Sequence, residues 1–339
     1  MNRILNGDFA VYQGGPSVNP LRHLSITFDR WIWGQQQGGS VMRWDVDTDT
    51  PDASVPYSSK FTCVTAAPAG NDTEKHIRYG IEGSDFRELA GKTCTLTFHV
   101  KSNTPGTYSV AFVAYSRDYV YVTEYTIDQP DVWEAKTITV PFDTVTGGVW
   151  NQGNDLGCGI RFAMSSGGNY QGQPDTWNNQ NVTSSAAQMN LGSMVGNYLK
   201  LAKVQLTPGT EPQPFHHRPL AETFRACTRY LYVLTAAMAR RTPSSSVTTG
   251  TVTEIYVPLP TRLRATPRVT IEGVPGQDWV LRTSGDAQPP SFGTVQYLPA
   301  YGRDMGLIRF EGGTFTPGQA LHLLLINSNA RVVFNAEII

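Results

Sequence analysis

Cys94-Thr95-Leu96-Thr97-Phe98-His99-Val100-Lys101 alternates strictly between apolar and polar side chains. A period of two is that of a β-strand with one face buried and one face wet. Asn103-Thr104-Pro105-Gly106 follows, and Pro-Gly is a strong turn signal. Beyond it, Tyr108, Val110, Phe112 and Ala114 again share one face, so the pattern predicts a hairpin. The same reading extends outward in both directions. Tyr119, Tyr121 and Tyr125 fall on one side of a strand over 119–127. Further alternating sets are Ile138, Val140 and Phe142, then Cys158, Ile160, Phe162 and Met164. A strand over 198–206 changes phase near Ala202-Lys203, as a β-bulge would make it. Many short strands at this spacing predict an all-β chain whose N-terminal part is a jelly-roll β-sandwich.

Composition agrees. Only 16% of the 339 residues are charged, which excludes coiled coils and long charged helices. Fourteen Phe, fifteen Tyr and seven Trp supply enough core to exclude intrinsic disorder. The net charge of -1 leaves no electrostatic footprint for nucleic acid or an anionic membrane. The apolar run Leu323-Leu324-Leu325-Ile326 is too short to span a bilayer. The opening Met1-Asn2-Arg3-Ile4 has no apolar h-region, so no secretion signal is read. Cys63, Cys94, Cys158 and Cys227 are irregularly spaced and form no CxxC, which predicts four reduced thiols made in a cytoplasm.

Thr207-Pro208-Gly209-Thr210-Glu211-Pro212-Gln213-Pro214 reads as an extended linker. After it, Leu220, Phe224, Cys227 and Leu231 have helical spacing. The expected division is therefore a jelly roll over 1–206, a Pro-rich linker with a short connecting helix over 207–241, and a smaller C-terminal β-sandwich over 242–339. Strands in the last part are expected at 252–259, 268–272, 279–282, 294–298, 307–310, 320–326 and 331–338.

No P-loop, GxGxxG, HExxH or GxSxG occurs. His216-His217 are adjacent in an extended segment and point apart, which disfavours a two-His metal site. Asp45, Asp47, Asp49 and Asp52 lack the Gly and terminal Glu of an EF-hand and read as a solvated acidic turn. The suggestive residues are aromatic. A long polar segment over 165–194 contains Tyr170, Trp177, Asn178 and Asn179, and Trp150 precedes it. Flat aromatic rings flanked by Asn and Gln suit sugar rings and their hydroxyls. Trp150, Tyr170, Trp177, Asn178 and Asn179 are therefore the candidate glycan-binding residues. The competing reading makes Trp150 core and packs the 170–181 loop on a neighbouring chain. Trp31, Trp33 and Trp44 are expected in the core.

Two stretches carry a family resemblance. The first is Ile4-Leu5-Asn6-Gly7-Asp8-Phe9, with Tyr12-Gln13-Gly14-Gly15 and Phe28-Asp29-Arg30-Trp31. The second is Gly196-Asn197-Tyr198-Leu199-Lys200-Leu201, closing with Pro214-Phe215-His216-His217-Arg218-Pro219 and Cys227-Thr228-Arg229-Tyr230. Over roughly residues 1–232 this pattern resembles bacteriophage tail-fibre and virion-surface proteins that begin with a jelly roll similar to a carbohydrate-binding module. The resemblance implies a non-enzymatic virion protein, a fibre or adhesin made in the bacterial cytoplasm. It would attach to host surface polysaccharide alongside other virion structural proteins. It also implies a homotrimer. A free carbohydrate-binding module or lectin is the alternative, and a glycan depolymerase the second alternative. In such modules a structural calcium often uses an acid near the Asn-Gly-Asp-Phe opening and another in the last strand. Asp8 matches the first, but Ala202 and Lys203 stand where the second would fall, so no cofactor is expected.

Overall fold

The computed structural model describes residues 2–238, 245–283, 294–298, 303–311 and 321–337; side chains are described outside 245–248, 283 and 294–298. Met1, Ile339, residues 320 and 338 of the expected strands, and residues 240–243 lie outside them. The chain divides into two compact units, with the boundary between Thr223 and Phe224.

The first unit contains twelve strands: β1 (Ser17–Val18), β2 (Trp31–Gln36), β3 (Val41–Asp47), β4 (Ser58–Thr65), β5 (Glu74–Glu82), β6 (Thr93–Ser102), β7 (Gly106–Ala114), β8 (Val120–Ile127), β9 (Glu134–Pro141), β10 (Leu156–Ser166), β11 (Thr176–Asn178) and β12 (Tyr198–Pro208). A one-turn helix α1 (Gly83–Phe86) follows β5. The strands form two six-stranded sheets, in the orders β1-β3-β4-β12-β6-β9 and β11-β8-β7-β10-β5-β2. Every pairing is antiparallel. The chain passes repeatedly from one sheet to the other, wrapping both around a single apolar core.

Alternation decides which side chains meet inside. Leu96, Phe98 and Val100 of the first sheet pack with Tyr79, Val110 and Phe162 of the second. Trp31, Trp33 and Trp44 are fully buried, as expected. Phe98 meets Phe162 edge to face with ring centroids 5.1 Å apart, a favoured aromatic geometry. All four cysteines are free and buried. Burial pushes the Cys94 thiol up to about 12, and raises Cys158 as well. The β12 bulge is present. The register shifts between Ala202 and Gln205, and Lys203 takes a positive φ of 51°. Leu199 and Leu201 point inward before the shift, Val204 and Leu206 after it.

One expected pairing is corrected. The Asn103–Gly106 turn does not close a hairpin, because β6 lies in the first sheet and β7 in the second. Two half-apolar strands can pair side by side or face each other across a core, and their pattern is the same in both cases. Here the corner is tied to the first sheet: Asn103 Oδ1 accepts from Tyr198 N at 2.8 Å. The partner of β7 is β8.

In the second region the helix α2 (Leu220–Cys227) stops short of Leu231. Leu231 instead opens β13 (Leu231–Thr235), a strand hidden from sequence reading by the helical spacing of its first residue. The unit continues with β14 (Ser245–Thr248), β15 (Val252–Pro258), β16 (Arg268–Glu272), β17 (Trp279–Thr283), β18 (Thr294–Leu298), β19 (Met305–Glu311), β20 (Leu321–Leu325) and β21 (Arg331–Asn335). These make sheets of three, four and two strands. Val269, Leu281, Ile308, Leu323 and Phe334 share their apolar cluster.

Candidate functional site

The long polar segment is ordered against the outer face of the second sheet. Val182 sits on an apolar patch made by Ala111, Val113, Val120 and Val122, the outward residues of β7 and β8. Backbone bonds fasten the segment at both ends: Asp175 N donates to Val122 O at 2.7 Å and Met189 N to Thr107 O at 2.8 Å. Within it, β11 adds an edge strand beside β8, with Trp177 opposite Tyr121.

This pairing turns Trp177 toward the core side. Its ring stacks on Tyr119 at 5.2 Å and 4°, and meets the edge of Trp150 at 5.5 Å and 89°. Phe142 and Tyr121 complete the cluster. The 145–150 loop comes close because Gly147 and Gly148 have no Cβ. A Cβ on Gly147 would stand 2.8 Å from Cε2 of Tyr119, and one on Gly148 2.8 Å from Tyr119 Cβ. The indole N–H groups are satisfied locally. Trp177 Nε1 donates to Thr144 Oγ1 at 3.2 Å and Trp150 Nε1 to Gly147 O at 2.9 Å.

Trp177 remains half-buried and opens onto a groove of about 980 Å³, counting the solvent at its mouth. Tyr119, Thr146, Asp175, Thr176 and Asn179 line the groove with it. Asn179 and Thr176 are exposed, and neither side chain makes a hydrogen bond among the described residues. Asp175 accepts from Thr123 Oγ1 at 2.7 Å through one oxygen. Burial, then the Asp175 charge, raises the Tyr121 hydroxyl above its ordinary value.

Of the five residues expected at a glycan site, the structure brings Trp150 and Trp177 into contact and places Trp177 and Asn179 on one groove. Asn178 is spent on the backbone: its amide bonds Gln173 and Thr176, closing the turn before β11. Tyr170 sits on a separate 3-10 turn, where its carbonyl accepts from Thr183 N at 2.8 Å and its hydroxyl feels Glu74, Asp72 and Arg161. Tyr119, Thr176 and Asp175 were not foreseen. The alternation over 119–127 puts Tyr119 on one face with Tyr121 and Tyr125, and it is 5% exposed while lining the groove.

The four-acid segment is not a solvated turn. On the outer face of the first sheet, Ser17, Asp45, Lys60, Lys200 and Lys101 occupy one row of directly opposed residues. Lys200 Nζ reaches Asp47 at 3.0 Å and Asp49 at 2.7 Å, and Lys101 Nζ reaches Asp49 at 2.8 Å. Trp133 Nε1 adds a bond to Asp49 at 3.1 Å. Desolvation works against the Asp47 and Asp49 carboxylates, but the hydrogen bonds and lysine charges outweigh it and hold both pKa values down.

The calcium arrangement that the sequence resemblance implies does not fit the residues present. The Asn-Gly-Asp-Phe opening does lie on the last strand, since Val204 N donates to Gly7 O at 2.9 Å. The adjacent residue Lys203 is a cation paired with Asp52, and Asp8 has Arg218 as a charged neighbour. Among the described residues no cluster of three His, Cys, Asp or Glu could hold a metal.

No protein-family model matches the chain, and no curated protein matches its sequence. Solved structures with a similar arrangement include the enzymatically active domain of bacteriophage CBA120 tailspike protein 4, at 14% identity and TM-score 0.34, over 61% of this chain. The chain spans only about a fifth of that domain's length, 21%. The module TmCBM61 in complex with β-1,4-galactotriose overlaps 62% of this chain and 99% of its own, at 10% identity and TM-score 0.32. A family 11 carbohydrate-binding module from Clostridium thermocellum, in complex with a β-1,3-1,4-mixed-linked tetrasaccharide, overlaps 58% of this chain and 97% of its own, at 12% identity and TM-score 0.31. All three overlaps are loose, and they fix neither a ligand nor a role.

Proposed function

We propose that the N-terminal sandwich binds glycan in the Trp177 groove without catalysis, and that the chain is a phage or phage-like virion protein displaying this site toward host surface polysaccharide. The observation that carries the binding reading is the groove itself. A half-buried indole is held rigidly by four other rings, beside the exposed Asn179 amide and Thr176 hydroxyl. One face of the indole is taken by Tyr119, so a sugar meets the remaining open part of the ring and the polar rim. A preformed aromatic surface costs little conformational entropy on binding.

Binding without hydrolysis is supported by the acids. Asp175 is the one carboxylate among the described residues that line the groove. Asp47 and Asp49 do lie together, but both are locked to lysines and held ionised. Glycoside hydrolysis needs one of its two carboxyl groups to stay protonated as the acid. The virion role rests on the sequence resemblance over residues 1–232. A homotrimer accompanies it, and repeated weak sites on one particle then act together.

Trp177→Ala is expected to weaken glycan binding by about 1–3 kcal/mol, on the scale of truncating an anchor aromatic. Asn179→Ala, which removes no side-chain hydrogen bond among the described residues, separates binding from folding. It should lower affinity while leaving the unfolding curve unchanged. Calorimetric titration with host-surface oligosaccharides measures both, and unaltered affinity in both variants would assign Trp177 to packing alone. Light scattering tests the assembly: a stable trimer is expected, and a 37.2 kDa monomer contradicts it. A particle stripped of this protein that still adsorbs normally contradicts the receptor-binding role.

A further inference from the structure

The Trp177 groove carries one sign of charge. Asp175, Trp177 and Asn179 alternate across the short strand β11 and line the groove together. Among the described residues that line it, Asp175 is the one charged group, and no lysine, arginine or histidine answers it. Its place is built by the fold. Asp175 takes a positive φ of 55°, a region that Asp and Asn visit more readily than other side chains. Its N–H donates to Val122 O at 2.7 Å, and the Asn178 amide closes the turn around it through bonds to Gln173 and Thr176. Thr123 Oγ1 donates to Oδ1 at 2.7 Å. The other oxygen, Oδ2, makes no hydrogen bond among the described residues, and the side chain is exposed.

The other polar groups of the groove divide into committed and free. Thr144 Oγ1 accepts from Trp177 Nε1 and donates to Pro141 O at 2.9 Å. Thr146 Oγ1 meets the Tyr119 hydroxyl at 3.2 Å. Asp175 Oδ2, the Asn179 amide and the Thr176 hydroxyl are left for a ligand. An ionised carboxylate only accepts hydrogen bonds, and a sugar hydroxyl donates one to it in a charge-assisted bond. The carboxylate of an acidic sugar also only accepts. In this groove it would find no cation among the lining residues and would face the like charge of Asp175.

We infer that the Trp177 groove selects neutral sugars, and that Asp175 sets the choice by accepting from a sugar hydroxyl and repelling a sugar carboxylate. The inference rests on the glycan-binding reading above and narrows its ligand to a neutral stretch of polysaccharide. Trp177 supplies the flat surface, Asp175 the charged acceptor, and Asn179 and Thr176 the remaining hydrogen bonds.

The test is calorimetric titration of the intact chain with matched pairs of sugars. The probes are 1,4-linked tetramers of glucuronate, mannuronate and galacturonate, each beside its carboxyl-reduced neutral form. The members of a pair share linkage and ring and differ in charge. Asp175→Asn keeps an acceptor for Thr123 and suits the positive φ. Asp175→Gly suits the same φ and removes the carboxylate outright, which covers a fold weakened by the first change. In the wild type at least one neutral tetramer should bind about tenfold or more tighter than its acid at low salt, and the gap should narrow as salt rises. Both variants should bring that pair within about threefold, with the neutral member weakened. Acids that bind the wild type as well as their neutral forms, or a ratio unchanged in both variants, overturn the selection and leave glycan binding standing. A ratio that moves as far in Asn179→Ala takes the choice away from Asp175. No binding of any of the six sugars overturns the glycan reading of the groove, and the selection falls with it.

Discussion

The two outer faces of the N-terminal sandwich use charge in opposite ways. On the first sheet, lysines from β4, β6 and β12 stand in one row and pair with Asp47 at the end of β3 and Asp49 just beyond it. On the second sheet, Arg161 and its partner Glu74 are both buried. The first face is closed upon itself. The second is half covered by the 165–194 segment. A half-exposed pair gives up little of its hydration and contributes little, whereas a buried charge depends on its partner.

The contrast predicts unequal mutational costs. Glu74 is 5% exposed and holds Arg161, His76 and Thr183 together. Glu74→Ala strands a buried guanidinium, and the expected loss is about 3–5 kcal/mol in urea unfolding. Hydrogen exchange should rise over 181–185 in the same variant, because Asn181 and Thr183 lose their anchor. A loss below 1 kcal/mol would place the two faces on the same footing.

Acid should act on the faces in sequence. Burial pushes His76 down to about 4, against the pull of Glu74, so it folds neutral. The unfolded chain takes up that proton near the ordinary histidine value of about 6.5, so stability falls as pH drops from there toward 4, by at most about 3 kcal/mol. Asp47 and Asp49 have depressed pKa values, so the lysine row contributes above the ordinary carboxylate range and is lost only below it. Urea unfolding at pH 7, 5 and 3.5 should show the first loss before the second. An imidazole resonance of His76 that titrates near 6.5 in the folded protein would contradict the burial account.

The smallest effect belongs to the paired face. Lys101→Ala removes one arm of a half-exposed ion pair, with side-chain exposures of 17% and 41%, and should change stability by about 0–1 kcal/mol. A larger loss would mean the row acts as a cooperative unit.

Much of the fold was legible because alternation is a local signal. The strand over 94–101, the bulge at Ala202-Lys203 and the buried Trp31, Trp33 and Trp44 all follow from which side chains are apolar. Pairing was not legible. Nothing in 94–115 says that its two strands face each other across a core instead of sharing a sheet. Leu231 shows the same limit, since its spacing fits a helix and its partners make it a strand. Of the candidate glycan-binding residues, Trp177 and Asn179 line one groove, and Trp150 packs against Trp177 from the loop before the polar segment. Asn178 and Tyr170 were of the right type and are committed elsewhere.

The most direct test of the central claim is titration of the intact chain and of Asn179→Ala with host-surface oligosaccharides, followed by heat release. The account predicts binding to the wild type, with no shortening of the sugar, and weaker binding to a variant that unfolds at the same urea concentration. Equal binding in both proteins, or sugars cut during the titration, would contradict a non-catalytic site at the Trp177 groove.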